Sequence, residues 1–140
     1  MSAASETAGG GRQVAIRTIA MPADTNAAGD IFGGWLMSQM DLAAGSLAYR
    51  TAQGRVATIA VEAMTFIRPV KVGDEVTVYA DLLKIGRSSI TMNIEAYRRA
   101  RDSEVVELVT EARFTFVALD ADGRPRPVPG GGASVESATA

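Results

Sequence analysis

The hydrophobic pattern of this chain changes period twice. Over residues 33–50 the polar interruptions are Ser38, Gln39, Asp41 and Ser46, so apolar side chains point in nearly every direction. That is the pattern of a helix surrounded by protein. Ala43, Ala44, Gly45 and Ala48 are small enough to let a neighbouring layer approach closely. On either side of this helix the period is two. Residues 14–20 alternate as a short strand that ends at Met21-Pro22, and 56–68 read as a long strand stopped by Pro69. Residues 75–85, 88–98 and 105–118 alternate in the same way, joined by turns at Val72-Gly73-Asp74, Ile85-Gly86-Arg87 and 99–103.

One helix followed by four antiparallel strands, with a short strand before it, predicts an α+β domain. A flat sheet cannot cover a helix on several sides, so the expected architecture is one long central helix wrapped by a curved antiparallel sheet of about five strands. The sheet's other face, or an edge strand, is left to pair with a second copy. Residues 1–12 are small and polar and are expected to form a flexible N-terminal tail. Residues 125–140, rich in Pro, Gly and Ala, are expected to form a disordered C-terminal tail, leaving a single domain over 13–124.

Composition matters most through what is missing. The 140 residues include no Cys and no His. Disulfides, thiolate metal sites, Cys nucleophiles and Ser-His-Asp relays are therefore excluded, and no metal site is expected. Acid–base chemistry falls to carboxylates, Lys or Tyr. A net charge of -2 gives no general attraction to nucleic acid or anionic membranes. Any phosphate must be held by a local group of cations. The first eleven residues lack an apolar signal-peptide core, and the longest apolar stretch is repeatedly interrupted. A cytoplasmic location with no membrane partner is the expectation.

The candidate chemistry lies in 24–41. Gly33-Gly34 falls at the helix start, where unpaired N–H groups and a partial positive charge can hold a developing negative charge on a carbonyl oxygen. Tight helix–sheet packing explains the same pair. Asp41 sits in the apolar helix, where a charge needs a use or a partner. It is the candidate base or nucleophile; a salt-bridged or capping carboxylate is the structural alternative. Gly33 and Asp41 are roughly 12 Å apart along a helix axis, too far to meet at one carbonyl carbon. Two antiparallel copies of the helix would bring them together, which predicts a site at a dimer interface. Asn26 and Asp30 are further candidates just before the helix, with Asx turns and an N-cap as the alternative. For phosphates, the run Lys84-Ile85-Gly86-Arg87-Ser88-Ser89 sets two cations and two hydroxyls around a glycine turn. Arg68 with Lys71, and Arg98-Arg99-Ala100-Arg101, are rival clusters.

Taken together, the runs Met21-Pro22-Ala23-Asp24-Thr25-Asn26, Gly29-Asp30-Ile31-Phe32-Gly33-Gly34-Trp35 and Met37-Ser38-Gln39-Met40-Asp41 resemble the YciA type of hotdog-fold acyl-CoA thioesterases. The resemblance continues through Gly54-Arg55-Val56, 64–70, Val72-Gly73-Asp74, Gly86-Arg87-Ser88-Ser89 and 114–118, and so covers about 14–127. It implies the hotdog fold and hydrolysis of an acyl-CoA thioester to a free acid and CoA. It also implies Asp41 as catalytic carboxylate, a backbone oxyanion donor at Gly33 or Gly34, and a contribution from Asp30, where some relatives carry Asn. Hotdog dimers, three to a hexamer, are implied as the assembly. No cofactor is implied, because CoA arrives as part of the substrate. A hotdog module that senses acyl-CoA without hydrolysing it is the competing reading, and a dehydratase is disfavoured by the missing His. Acyl preference is expected to depend on Trp35, Met40, Met64 and Phe66.

Overall fold

The computed structural model describes residues 12–131. Strand β1 (Ile16–Ile19) leads through a 3-10 turn at Pro22–Asp24 into helix α1 (Gly33–Ala52). Strands β2 (Val56–Glu62), β3 (Glu75–Ile85), β4 (Ser89–Arg99) and β5 (Val106–Ala118) follow. They form one antiparallel sheet in the order β1-β3-β4-β5-β2. Helix α1 touches β2, β3, β4 and β5. Four strands at about 4.8 Å spacing are wider than a helix of about 10 Å, so the sheet must curl around it.

The core lies between helix and sheet. Leu36, Met40, Ala43, Ala44, Ala48 and Ala52 form the buried stripe of α1 at helical spacing. It meets the inward rows of the sheet: Val76 and Val78 of β3, Ile90, Met92, Ile94 and Ala96 of β4, and Ala112, Phe114, Phe116 and Ala118 of β5. The four alanines keep the helix backbone close to the sheet, and the larger strand side chains fill the layer between them.

Three expectations are corrected. First, α1 is not covered on all sides within one chain: Met37, Leu42 and Tyr49 are 40%, 61% and 57% exposed. Second, β2 ends at Glu62, because Ala63 adopts a left-handed φ of 53° that breaks the pairing long before Pro69. The following segment still runs beside β5, held by the Ile67 amide on the Val109 carbonyl (2.8 Å) and the Thr110 hydroxyl on the Thr65 carbonyl (2.7 Å). Third, both domain edges move outward. Arg12, assigned to the tail, pairs with Asp81 and Glu95 at 2.6 Å each and lies 4.3 Å over the Tyr79 ring. At the other end residues 125–131 are folded onto the domain and bury Val128 in its core. The rest of the two expected tails, 1–11 and 132–140, lies outside the described residues. Among the described residues no helix is long and apolar enough to cross a membrane.

Candidate active site

Phe32 caps α1 in an extended conformation (φ -86°, ψ 153°) without a side-chain hydrogen bond. The Trp35 amide turns back to the Phe32 carbonyl at 3.1 Å. Among the described residues the Gly33 and Gly34 amides donate to nothing. They are the first donors of a twenty-residue helix, so the positive end of its dipole is concentrated there. Aromatic rings pack against both glycines. A Cβ on Gly33 would stand 3.2 Å from the Phe66 ring, and one on Gly34 3.3 Å from the Phe32 ring. Beside them opens an apolar cleft of about 260 Å³, bounded by Ile31, Phe32, Phe66, Arg68 and Pro69 over Leu36, Val70 and Val109. The two readings of the glycine pair therefore coexist: the glycines allow close packing, and their amides stay open.

The loop before the helix is built on Asn26. Its Oδ1 accepts from the amides of Ala28 (2.9 Å) and Asp30 (3.1 Å). Its own amide donates to the Asp30 carbonyl at 2.8 Å. Asn26 is thus an Asx-turn residue, with its side-chain NH2 unengaged among the described residues. The Asp30 carboxylate is exposed and does not cap the helix. Asp24 accepts from the Met21 amide at 2.9 Å and closes the 3-10 turn.

Asp41 is exposed in the single chain rather than buried. Its Oδ1 accepts a 2.6 Å hydrogen bond from the Thr58 hydroxyl. Thr58 lies on β2 where the register with β5 shifts between Thr58 and Ala60. Such an irregularity re-aims a side chain toward a site. Thr58 is a candidate that sequence reasoning missed: a lone hydroxyl in an apolar strand carries no sign of a partner seventeen positions away. The pair opens onto a groove of about 570 Å³, lined also by Leu42, Gly45, Ser46, Tyr49, Arg50, Val56 and Phe116.

No residue lines both clefts. One chain thus carries two separate candidate sites: helix-start amides at one, and a carboxylate hydrogen-bonded by a hydroxyl at the other. The face that would bring a second copy is present. Met37, Leu42 and Tyr49 on α1 are uncovered, and Ile59 and Val61 stand exposed on β2, a sheet-edge strand. Of the four residues expected to shape acyl preference, Phe66 lines the apolar cleft. Met40 is fully buried in the core, while Trp35 and Met64 are half-buried against it.

Pairing removes some cations from the candidate phosphate clusters. Arg98 is held by Asp74 (2.8 Å) and Glu107 (2.7 Å), and the hydrogen bond to Asp74 pushes its pKa above the usual guanidinium value. Arg99 pairs with Glu75 and bonds the Ser103 carbonyl. Arg68 meets Glu107 at 3.3 Å and the Leu108 carbonyl at 2.6 Å. Lys84 and Arg87 are exposed and pair with no carboxylate among the described residues, and the same holds for Lys71 and Arg101; of these four, Lys84 and Arg87 are the two that flank one glycine in sequence. Gly86, Ser88 and Ser89 form the turn between them, with the Gly86 amide on the Ser89 carbonyl at 2.8 Å.

A helix inside a curled antiparallel sheet, with its site split between helix start and mid-helix, defines a class that comparison with known proteins makes specific. Residues 28–105 match the family model described as the thioesterase superfamily. The acyl-CoA thioester hydrolase YciA of Salmonella typhimurium is 55% identical over 120 residues, which are 84% of this chain and 90% of that protein. Among solved structures, a hexameric broad-specificity acyl-coenzyme A thioesterase matches at a TM-score of 0.81 with 49% identity, over 92% of this chain and 88% of that one. A hexameric hotdog-fold thioesterase of Campylobacter jejuni matches at 0.79 with 36% identity, over 84% and 91%. The chain belongs to the thioesterase superfamily and has the hotdog fold.

Proposed function

We propose that this chain is an acyl-CoA thioester hydrolase whose active site is completed by a second copy of the chain. The observation that carries the reading is the split site: two open helix-start amides, and an oriented carboxylate roughly 12 Å further along the same helix. Antiparallel pairing through α1 and β2 sets Gly33 of one copy beside Asp41 of the other, twice per dimer. The thioester carbonyl then rests on the Gly33 and Gly34 amides, which stabilise the charge that develops on its oxygen. Thr58 holds one oxygen of Asp41, leaving the other to take a proton from water as that water attacks the acyl carbon. The tetrahedral intermediate collapses, the C–S bond breaks, and the thiolate leaves as CoA while the proton returns from Asp41. Asn26, with its free NH2, and Asp30 border the helix start and position the thioester or water.

Polarity orients the substrate. The apolar cleft beside Gly33 suits the acyl chain, with Phe66 at its mouth. The groove beside Asp41 includes Ser46, Tyr49 and Arg50, and suits the amide-bearing pantetheine arm. It leads to the turn bearing Lys84, Gly86, Arg87, Ser88 and Ser89, which receives the phosphates; Arg68, already paired, serves the cleft's rim. The hexameric state of the related structures supports an assembly of three such dimers. This reading needs no cofactor beyond the CoA that arrives with the substrate, and sets the reaction in the cytoplasm. Release of free thiol from a panel of acyl-CoAs by wild type and Asp41→Ala tests it. Wild type should release thiol and the variant should fall by at least about a hundredfold. Binding of acyl-CoA without thiol release would instead make the chain a sensing module.

A further inference from the structure

Beyond Leu119 the chain folds back along the domain. The Oδ1 of Asp120 accepts from the amides of Asp122 and Arg124 at 2.9 Å each, and Pro125 bridges to Leu119. Arg126 is the anchor. Its amide donates to the Ala118 carbonyl (2.9 Å). Its guanidinium donates to the carbonyls of Leu119 (3.0 Å), Ala52 (2.9 Å) and Pro127 (3.3 Å). Ala52 is the last residue of α1, so a cation sits at the negative end of the helix. Val128, 4% exposed, is part of the core, and its amide donates to the Arg87 carbonyl at 2.8 Å. A Cβ on Gly131 would stand 2.7 Å from the Gly86 carbonyl oxygen and 2.8 Å from that of Arg87. The backbone of this strap therefore lies directly on the β3–β4 turn.

That turn is fixed from every side. Besides the Gly86–Ser89 bond, the Ala118 amide donates to the Ser88 carbonyl at 2.8 Å. A Cβ on Gly86 would collide with Ser89 Oγ at 2.5 Å. What stays free is charge. Lys84 and Arg87 are exposed, as are Arg55 and Arg124 nearby, and none pairs with a carboxylate among the described residues. Among the described residues the carboxylates at this end are Asp120, which caps its own turn, and Asp122. In a chain of net charge -2 this end is basic. It also terminates the Asp41 groove, since Phe116 pairs with Ile90 and Val56 with Ala118. From Asp41 to Ala52 is roughly 16 Å along the helix, the order of an extended pantetheine arm.

We propose that the strap over residues 124–131 is a positioning element for substrate: it holds the 86–89 turn so that Lys84 and Arg87 meet the nucleotide phosphates while the thioester reaches Asp41. The inference rests on the acyl-CoA reading above. A turn already fixed does not lose freedom when the phosphates bind, and that saving appears as affinity. The strap residues touch no substrate; they act through the turn.

The test compares CoA with pantetheine, which lacks the nucleotide phosphates, in Arg126→Ala and Val128→Ala. Calorimetry gives Kd for CoA and pantetheine, and thiol release gives kcat and KM for one acyl group carried on each. Expected are a five- to tenfold rise, roughly, in Kd and KM for the CoA forms, with kcat and both pantetheine constants within about twofold of wild type. Equal losses on both carriers would show that the strap is only structural and overturn the proposal, as would unchanged CoA affinity. In a Lys84→Gln/Arg87→Gln background Val128→Ala should add less than about twofold; full additivity would also overturn it. If wild type binds CoA yet releases no thiol, hydrolysis is refuted and the calorimetric comparison still decides the role of the strap.

Discussion

The shared site makes its sharpest prediction by complementation. Gly33→Pro deletes the donor N–H while respecting the fold. Residue 33 is the first of the helix, a favoured proline position, and Phe32 before it has the extended ψ of 153° that a following proline requires. The Gly33 amide has no partner to lose. The added Cβ meets the Phe66 ring at 3.2 Å, and that side chain is 43% exposed and can move aside. Loss of one oxyanion donor lowers kcat by about a hundred- to a thousandfold. Asp41→Ala removes the base from the other half-site. Neither variant alone should show more than residual thiol release. When the two are refolded together in equal amounts, a site is intact wherever Gly33 comes from the Asp41→Ala chain and Asp41 from the Gly33→Pro chain. Random pairing of chains makes that about a quarter of all sites. The mixture should therefore regain about a quarter of wild-type activity, read as free thiol per chain. A fully active Gly33→Pro would refute the donor assignment. Two inactive parents with no recovery on mixing would refute the shared site, because a site within one chain can never be rebuilt from these halves.

Thr58→Val keeps the shape of the strand residue and removes its hydroxyl; kcat should fall about ten- to a hundredfold with KM little changed, as measured by steady-state thiol release. Gly45→Ala should raise stability by about 0.5–1 kcal/mol in thermal melts, because the new Cβ meets nothing nearer than Phe116 at 3.7 Å and mid-helix glycine is costly. The same substitution narrows the Asp41 groove that Gly45 lines, so KM for acyl-CoA should rise. Asp74→Ala leaves Arg98, which is 15% exposed at its side chain, with Glu107 alone and removes the acceptor of the Lys71 amide. Denaturant unfolding should show a loss of about 3–5 kcal/mol.

What the chain disclosed before its structure was known follows from the range of each interaction. Strand alternation and helix periodicity are local, so β3, β4, β5 and α1 could be placed to within a residue or two. Pairings across the sheet were not visible. Arg98 faces Glu107 across β4 and β5, a match that depends on register, and without it Arg98 looked as free to bind phosphate as Arg87. Thr58 on β2 and Asp41 on α1 meet across the layer, and no pattern in the sequence announces that pairing. Residues 125–131 were misread because Pro and Gly dominate their composition, while Arg126 and Val128 do the holding. Their partners, Ala52 and Arg87, lie far back in the chain.

The apolar pattern of α1 predicts burial on all sides, yet the chain's own sheet covers only part of the helix. A hydrophobic pattern records which positions leave water in the working assembly and is indifferent to which chain covers them. Within one chain the stripe from Leu36 to Ala52 meets the sheet, and the opposite side, with Leu42 and Tyr49, stands exposed. Asp41 lies between these two faces. Its carboxylate is exposed in the isolated chain and tied among the described residues to Thr58; in the proposed dimer a second helix would close over the groove and remove its water. The partner that removes the water also delivers the open amides of Gly33 and Gly34. On the proposed shared site, base and oxyanion donor become competent together, and a chain folded alone would carry both halves of the chemistry without being able to perform it.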